Sequence, residues 1–304
     1  MLNNEQRSET SDRIVSKVIQ FSMDVIGMKK AMEKKIADNS YNKEPAELPA
    51  SILRKLKVEV SEITERKVWT LSPKNTSPTT VVLFLHGGAY YANITHMHWR
   101  FIEQLVNSTQ ATFIVPDYPL APESVCTDTF QFIDKVYAQL LARFSSNQIV
   151  LMGDSAGGGI ALGFAQKICN ENIQQAHRII LFSPWLDVSM TNPDISIYDQ
   201  RDKILNVEGL KMAGQNYAGE LGVNDYRVSP IHGDLTRLGN ITLFIGTNDL
   251  LLADARKLKQ LMDDRQLSLE YYEFPEMFHD WVIVPGLKET KLVVQRVAEL
   301  IINA

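Results

Sequence analysis

The sequence predicts an α/β protein: a mostly parallel, eight-stranded sheet flanked by helices, with a helical cover over one edge. Three observations carry this. From Thr80 onward, apolar runs of strand length alternate with segments of helical apolar spacing, the pattern that right-handed crossovers fold into a parallel sheet. One of those runs ends in the glycine-rich corner Gly153-Asp154-Ser155-Ala156-Gly157-Gly158-Gly159, which opens directly into a helix. About 58 positions separate Ser183 from Ile241, far beyond the ~10–12 residues of a minimal crossover, so an insertion lies between two of the strands.

The composition fits such a fold. With 304 residues, 45% hydrophobic and 22% charged, the chain buries a large core. Lys and Arg total 31 against 36 Asp and Glu, a net charge of −5, which argues against nucleic-acid binding through phosphates. Cys126 and Cys169 make neither a disulfide framework nor metal-ligand spacing and are read as buried free thiols. No run approaches the ~20 apolar residues of a membrane span, and the polar N-terminus lacks the apolar core of a signal peptide. The expectation is a cytoplasmic chain without stable membrane insertion.

Taken in order, residues 14–36 carry Ile14, Val18, Val25, Met32 and Ile36 at helical spacing with charges between them, an amphipathic segment read as a lid over a pocket, as a helix packed on the body or as a membrane-surface contact. Pro45 and Pro49 mark a linker. Strands are expected at 58–60, 67–71, 80–85, 112–116, 148–152, 178–182, 241–245 and 267–274. Helices are expected at 98–107, 130–143, 156–169, 251–262 and 288–302. The whole of 1–304 is read as one domain, with a cap built from about 1–48 and 188–226.

The chemistry centres on the corner. Gly153, Ser155 and Gly157 fit the G-x-S-x-G nucleophile elbow, in which small residues flank a serine held in a strained turn between strand and helix. His86-Gly87-Gly88-Ala89-Tyr90 follows a buried strand. Acyl transfer through a serine develops negative charge on the former carbonyl oxygen, which backbone N–H groups stabilise. The N–H groups of Gly87, Gly88 and Ala156 are therefore read as an oxyanion hole, and His86 as orienting that loop. A serine hydroxyl needs a base; His279, in the loop between the last strand and the last helix, stands in the required order serine, acid, histidine. Asp249, just beyond strand 241–245, is the first candidate for the acid that orients it, and Asp254 the second. Tyr90, Tyr91, Trp185, Phe278 and Trp281 flank these loops and are read as candidate walls of the substrate pocket. His96 and His98 lack a third ligand, so no metal is expected.

With these motifs in family order, together with Asp117-Tyr118-Pro119-Leu120-Ala121-Pro122-Glu123 and Ser183-Pro184-Trp185, residues 56–304 resemble the hormone-sensitive-lipase-like (bacterial family IV) carboxylesterases of the α/β-hydrolase fold. The resemblance implies hydrolysis of small-molecule esters with short to medium acyl chains, through an acyl-enzyme and without metal or organic cofactor. Amidase, lactonase or deacetylase chemistry on the same triad is the neighbouring alternative, and a non-catalytic ligand-binding protein a more distant one. Departures from the family pattern are Ala89 for a third glycine, Pro119 for arginine, Leu250 for proline, a second acid one residue late at Asp254, and Asp280-Trp281 for Gly-Phe. The last strand is also a candidate for pairing across a two-fold axis in a homodimer.

Overall fold

The structure, a computed structural model, describes residues 25–75 and 78–302. Eight strands form one sheet in the order β1-β2-β4-β3-β5-β6-β7-β8. They are β1 (Leu56–Ile63), β2 (Arg66–Pro73), β3 (Val81–Leu85), β4 (Thr112–Pro116), β5 (Ile149–Asp154), β6 (Arg178–Phe182), β7 (Asn240–Gly246) and β8 (Leu269–Phe274). β1 and β2 run antiparallel to each other and β2 antiparallel to β4; every other pairing is parallel. The described helices are α1 (Val25–Ala37), α2 (Ala50–Lys55), α3 (His96–Thr109), α4 (Cys126–Leu141), α5 (Ser155–Asn170), α6 (Ile195–Asp199), α7 (Val207–Ala218), α8 (Leu252–Asp264) and α9 (Lys288–Ile302). The predicted fold class holds.

The central strands read as continuous apolar runs because both of their faces are covered. Successive side chains alternate between the faces. Val81, Leu83 and Leu85 of β3 join Phe130 of α4, Ile160 of α5 and Leu258 of α8 in one core. Val82 and Phe84 join Trp99 and Phe101 of α3 and Val293 and Val297 of α9 in the other. β1 at the sheet edge is largely exposed, as its polar alternation predicts.

Boundaries shift for local reasons. β8 begins at Leu269 rather than 267, because the Leu267 N–H still bonds the Met262 carbonyl at the end of α8. α4 begins four residues before the expected 130, where Asp128 accepts a hydrogen bond from the Val125 N–H at 2.9 Å. The six-residue α2 was too short to show periodicity. Of the amphipathic segment 14–36, the part before residue 25 lies outside the described residues; the rest is α1.

The insertion between β6 and β7 holds α6 and α7. α1 packs on α7, and the Nζ of Lys29 meets Asp199 Oδ1 at 2.6 Å. These two stretches of sequence, far apart in the chain, are thereby held together above the C-terminal edge of the sheet, where open α/β sheets bind ligands. Among the described residues no helix is long and apolar enough to cross a membrane.

Candidate active site

Ser155 stands where β5 ends and α5 begins, with φ of +50°, a conformation that non-glycine residues hold only under the constraint of surrounding structure. The constraint is visible. A Cβ on Gly157 would lie 2.0 Å from the Leu85 carbonyl oxygen, and one on Gly153 would lie 2.5 Å from the Gly157 carbonyl. β5 and β3 therefore approach the turn so closely that only glycine fits on either side of the serine.

Asp249 and His279 are brought together by the parallel neighbours β7 and β8, whose following loops are tied to each other. Thr247 N–H bonds the Phe274 carbonyl at 3.0 Å, Asn248 N–H bonds the Met277 carbonyl at 2.9 Å, and Glu276 N–H bonds Thr247 Oγ1 at 2.7 Å. His279 Nδ1 consequently lies 3.1 Å from each carboxylate oxygen of Asp249, and its Nε2 lies 2.9 Å from Ser155 Oγ. All three residues are buried. With Nδ1–H donating to Asp249, the neutral imidazole presents Nε2 as an acceptor for the serine hydroxyl. Burial pulls the His279 pKa down, but the carboxylates of Asp280 and Asp249 outweigh it and hold the imidazole well above its ordinary value.

The second candidate acid, Asp254, lies elsewhere. It accepts a hydrogen bond from Asn192 Nδ2 at 2.9 Å, and burial pushes its carboxyl up to about 6. Asp249 is the carboxylate that meets the imidazole.

The loop after β3 departs from expectation at one position. Gly87 N–H donates to Asp154 Oδ2 at 2.9 Å, so this donor is already engaged and is not free to stabilise an oxyanion. Asp154 also accepts from His98, whose Nε2 lies 3.1 Å away; the His98 Nδ1 accepts the Thr95 N–H at 3.1 Å, which fixes the tautomer. Gly88 and Ala89 instead border the cavity above Ser155. His86 is fully buried, donates from Nδ1 to the Gly87 carbonyl at 2.7 Å and stacks on Tyr118 with ring centroids 4.4 Å apart. Burial, with His98 nearby, lowers its pKa to about 4, so it is a neutral brace of this loop.

That cavity has a volume of about 350 Å³. Ser155, His279 and Asp280 form its floor; Met32 and Lys35 of α1 and Ile204, Leu205 and Leu210 of the insertion form its walls. None of the five aromatics expected to wall the pocket borders it. Tyr90 stacks on Tyr217 at 3.7 Å and on Trp185 at 5.2 Å, Tyr91 accepts a hydrogen bond from Asn216, and Phe278 and Trp281 sit in the core under α3 and α9. All five rings are buried in contacts with neighbouring elements, and Tyr90 and Tyr91 thereby tie the loop after β3 to α7.

A family model described as the alpha/beta hydrolase fold matches residues 82–283. The chain belongs to the α/β-hydrolase family. Among α/β-hydrolases, it is 27% identical over 207 residues to a protein named esterase from Acinetobacter venetianus, a match covering 67% of this chain and 68% of that one. It is also 27% identical over 201 residues to an acetyl-hydrolase of Streptomyces hygroscopicus, covering 66% of this chain and 67% of the relative. The fold superposes on a crystal structure of an esterase from the bacterial hormone-sensitive lipase family with a TM-score of 0.79, covering 98% of this chain and 99% of that one at 21% identity. The α/β-hydrolase resemblance read from the motifs is thus borne out.

Within this hydrolase, two buried groups escaped the sequence reading. Asp202, in the insertion, accepts the Leu250 N–H at 2.7 Å and the N–H groups of Ile204 and Leu205 at 2.7 and 2.9 Å. It thereby joins the loop carrying Asp249 to two residues of the cavity wall. Burial, reinforced by Asp249, raises its pKa. His98 drew no structural role from the sequence; its place among the buried positions of α3, with Trp99 and Ile102, was the available signal.

Proposed function

We propose that this α/β-hydrolase is a serine carboxylesterase acting on small esters with short to medium acyl chains, with Ser155 as nucleophile, His279 as general base and acid, and Asp249 as the acid that orients it. The observation that carries the reading is the continuous Ser155–His279–Asp249 hydrogen-bonded chain, at 2.9 and 3.1 Å, opening into a cavity of about 350 Å³. That volume is at the lower end of the ~300–1,000 Å³ of small-molecule pockets.

In this reading Ser155 Oγ attacks the ester carbonyl while His279 Nε2 takes its proton. The imidazolium, held by Asp249, then donates that proton to the departing alkoxide, so the alcohol leaves and an acyl-serine remains. Water attacks the acyl-enzyme with His279 again as base, releasing the acid and restoring the serine. The oxyanion is received by the N–H groups of Gly88, Ala89 and Ala156. Ala156 lies in the first turn of α5, whose N–H groups have no intrahelical acceptor. Gly88 and Ala89 face the cavity, and their N–H groups have no protein acceptor among the described residues. Ala89 therefore replaces Gly87 in the hole, and Asp154 with His98 braces the loop from behind.

The segments α1 and α6–α7 act in this reading as a cap that shapes the acyl site from apolar walls. A cytoplasmic location, and a homodimer paired through the edge strand β8, belong to the same proposal. Replacement of Ser155 by Ala is expected to abolish cleavage of p-nitrophenyl butyrate, a fall of at least about 10⁴-fold in kcat, with an unchanged melting curve. Retention of more than a tenth of the wild-type rate would refute the assignment.

A further inference from the structure

Asp280 directly follows the base and has φ of +54°. This left-handed conformation returns its carboxylate to the imidazole: Oδ2 lies 3.2 Å from His279 Nε2, the same nitrogen that faces Ser155 Oγ at 2.9 Å. Nδ1 is already engaged by both oxygens of Asp249. A neutral imidazole with its proton on Nδ1 offers only a lone pair at Nε2, and a carboxylate oxygen against a lone pair is repulsive. The contact becomes favourable when one further proton lies between the two atoms, as imidazolium N–H or as carboxyl O–H.

We propose that Asp280 is a second carboxylate partner of the base, that it shares a proton with His279 Nε2 in the resting site, and that release of this proton to solvent is what frees Nε2 to accept the proton of Ser155. The inference rests on the esterase reading for its consequence in catalysis, but the shared proton itself follows from the contact. Deprotonation is a simple loss of one H⁺ from the His279–Asp280 pair, through the cavity that both residues border.

The surroundings favour holding the extra proton. On the Nδ1 side stand Asp249 and, behind it, Asp202, whose charge also reaches His279. From the end of β5, Asp154 adds negative potential at Asp280. From α3, His98 faces the same pair of carboxylates and is itself bonded to Asp154. From α1, Lys35 borders the far side of the cavity, with its Nζ over the Tyr41 ring at 5.5 Å. Four carboxylates thus surround one imidazole, with one lysine across the cavity. The other oxygen of Asp280, Oδ1, is buried and has no hydrogen-bond partner among the described residues, so His279 is the group that compensates this charge. Burial lifts the Asp280 carboxyl to about 6, although His279 beside it pulls the other way.

Sign follows directly. A carboxylate at Nε2 stabilises the protonated base, so in the wild type the acid limb of the rate profile sits at higher pH than Asp249 alone would set. The test measures kcat/KM of a neutral p-nitrophenyl ester against pH in the wild type, Asp280→Gly and Asp280→Asn. Glycine suits a positive φ, and asparagine keeps the shape and also tolerates that region. The acid limb is expected to move down by about one pH unit or more in both variants, the shift typical of removing a neighbouring opposite charge. A limb that stays in place in either variant overturns the proposal. A second readout is independent of turnover: the imidazole carbon shift of His279 followed by NMR titration in Ser155→Ala and in Ser155→Ala with Asp280→Asn. Its midpoint is expected to fall when Asp280 is neutralised, and an unchanged midpoint overturns the shared proton. Should the wild type hydrolyse no ester, the esterase reading fails, while this titration still decides the role of Asp280.

Discussion

Substitution of Asp249 by Asn, compared with Asp254→Asn, separates the two candidate acids. Asp249 is fully buried, and both of its oxygens lie 3.1 Å from His279 Nδ1. At that separation and an effective dielectric of about 20, the attraction between carboxylate and imidazolium is about 5 kcal/mol. At about 1.4 kcal/mol per decade this corresponds to between three and four decades of rate. The amide removes the charge and can also present an N–H to Nδ1, which favours the wrong tautomer; the same change in a serine protease lowers kcat by about 10⁴. Asp254 bonds Asn192, and an amide there removes a charge that burial already disfavours, so its rate is expected to stay within about threefold of wild type. The assay is kcat on p-nitrophenyl butyrate at pH 8, with thermal melts to confirm folding. Asp249→Asn retaining more than a tenth of the activity, or Asp254→Asn losing more than a hundredfold, would refute the assignment.

Two further predictions concern the scaffold. In Gly157→Ala the new Cβ would meet the Leu85 and His86 carbonyl oxygens at 2.0 and 2.5 Å, so a destabilisation at or beyond the usual ~3 kcal/mol limit for overpacking is expected. Gly222→Ala has a positive φ but no atom within 4 Å of the added carbon and should lose only about 1–2 kcal/mol; equal melting temperatures for the two variants would contradict this. Asp202→Ala leaves the N–H groups of Leu250, Ile204 and Leu205 without their acceptor, so a lower melting temperature and a raised KM are expected, at about 1–3 kcal/mol for each buried donor left unpaired. Asp202→Asn, which keeps an acceptor oxygen, should recover much of both, and a KM unchanged in Asp202→Ala would argue against the link between cap and acid loop.

The fold was legible because a doubly covered sheet writes itself as apolar runs alternating with amphipathic helices, and the elbow because its glycines answer to a steric limit that leaves no other residue. His279 and Asp249 were legible through chain order: both follow strands whose C-terminal ends must lie on one edge. Asp254 lies close enough in sequence to compete, and only the tie between Thr247, Asn248 and the β8 loop settles which carboxylate turns inward. That the Gly87 N–H is engaged could not be read from the sequence, because its acceptor is the Asp154 side chain, 67 positions away. Pocket walls were misplaced for a similar reason: aromatics next to the catalytic loops were drawn into the interior, while Met32, Ile204 and Leu210, in stretches without a motif, came to border the cavity. Asp202 carried no signal, since an aspartate in an insertion becomes meaningful only through its contact with Leu250, 48 residues on.

A nucleophilic Ser155 is tested by covalent capture: treat the protein with a fluorophosphonate, digest it, and locate the adduct by mass spectrometry. One phosphonyl group per chain is expected, on the peptide containing Ser155, lost in Ser155→Ala and strongly slowed in His279→Ala. Labelling of another residue, or of none in a protein that melts cooperatively, would contradict it.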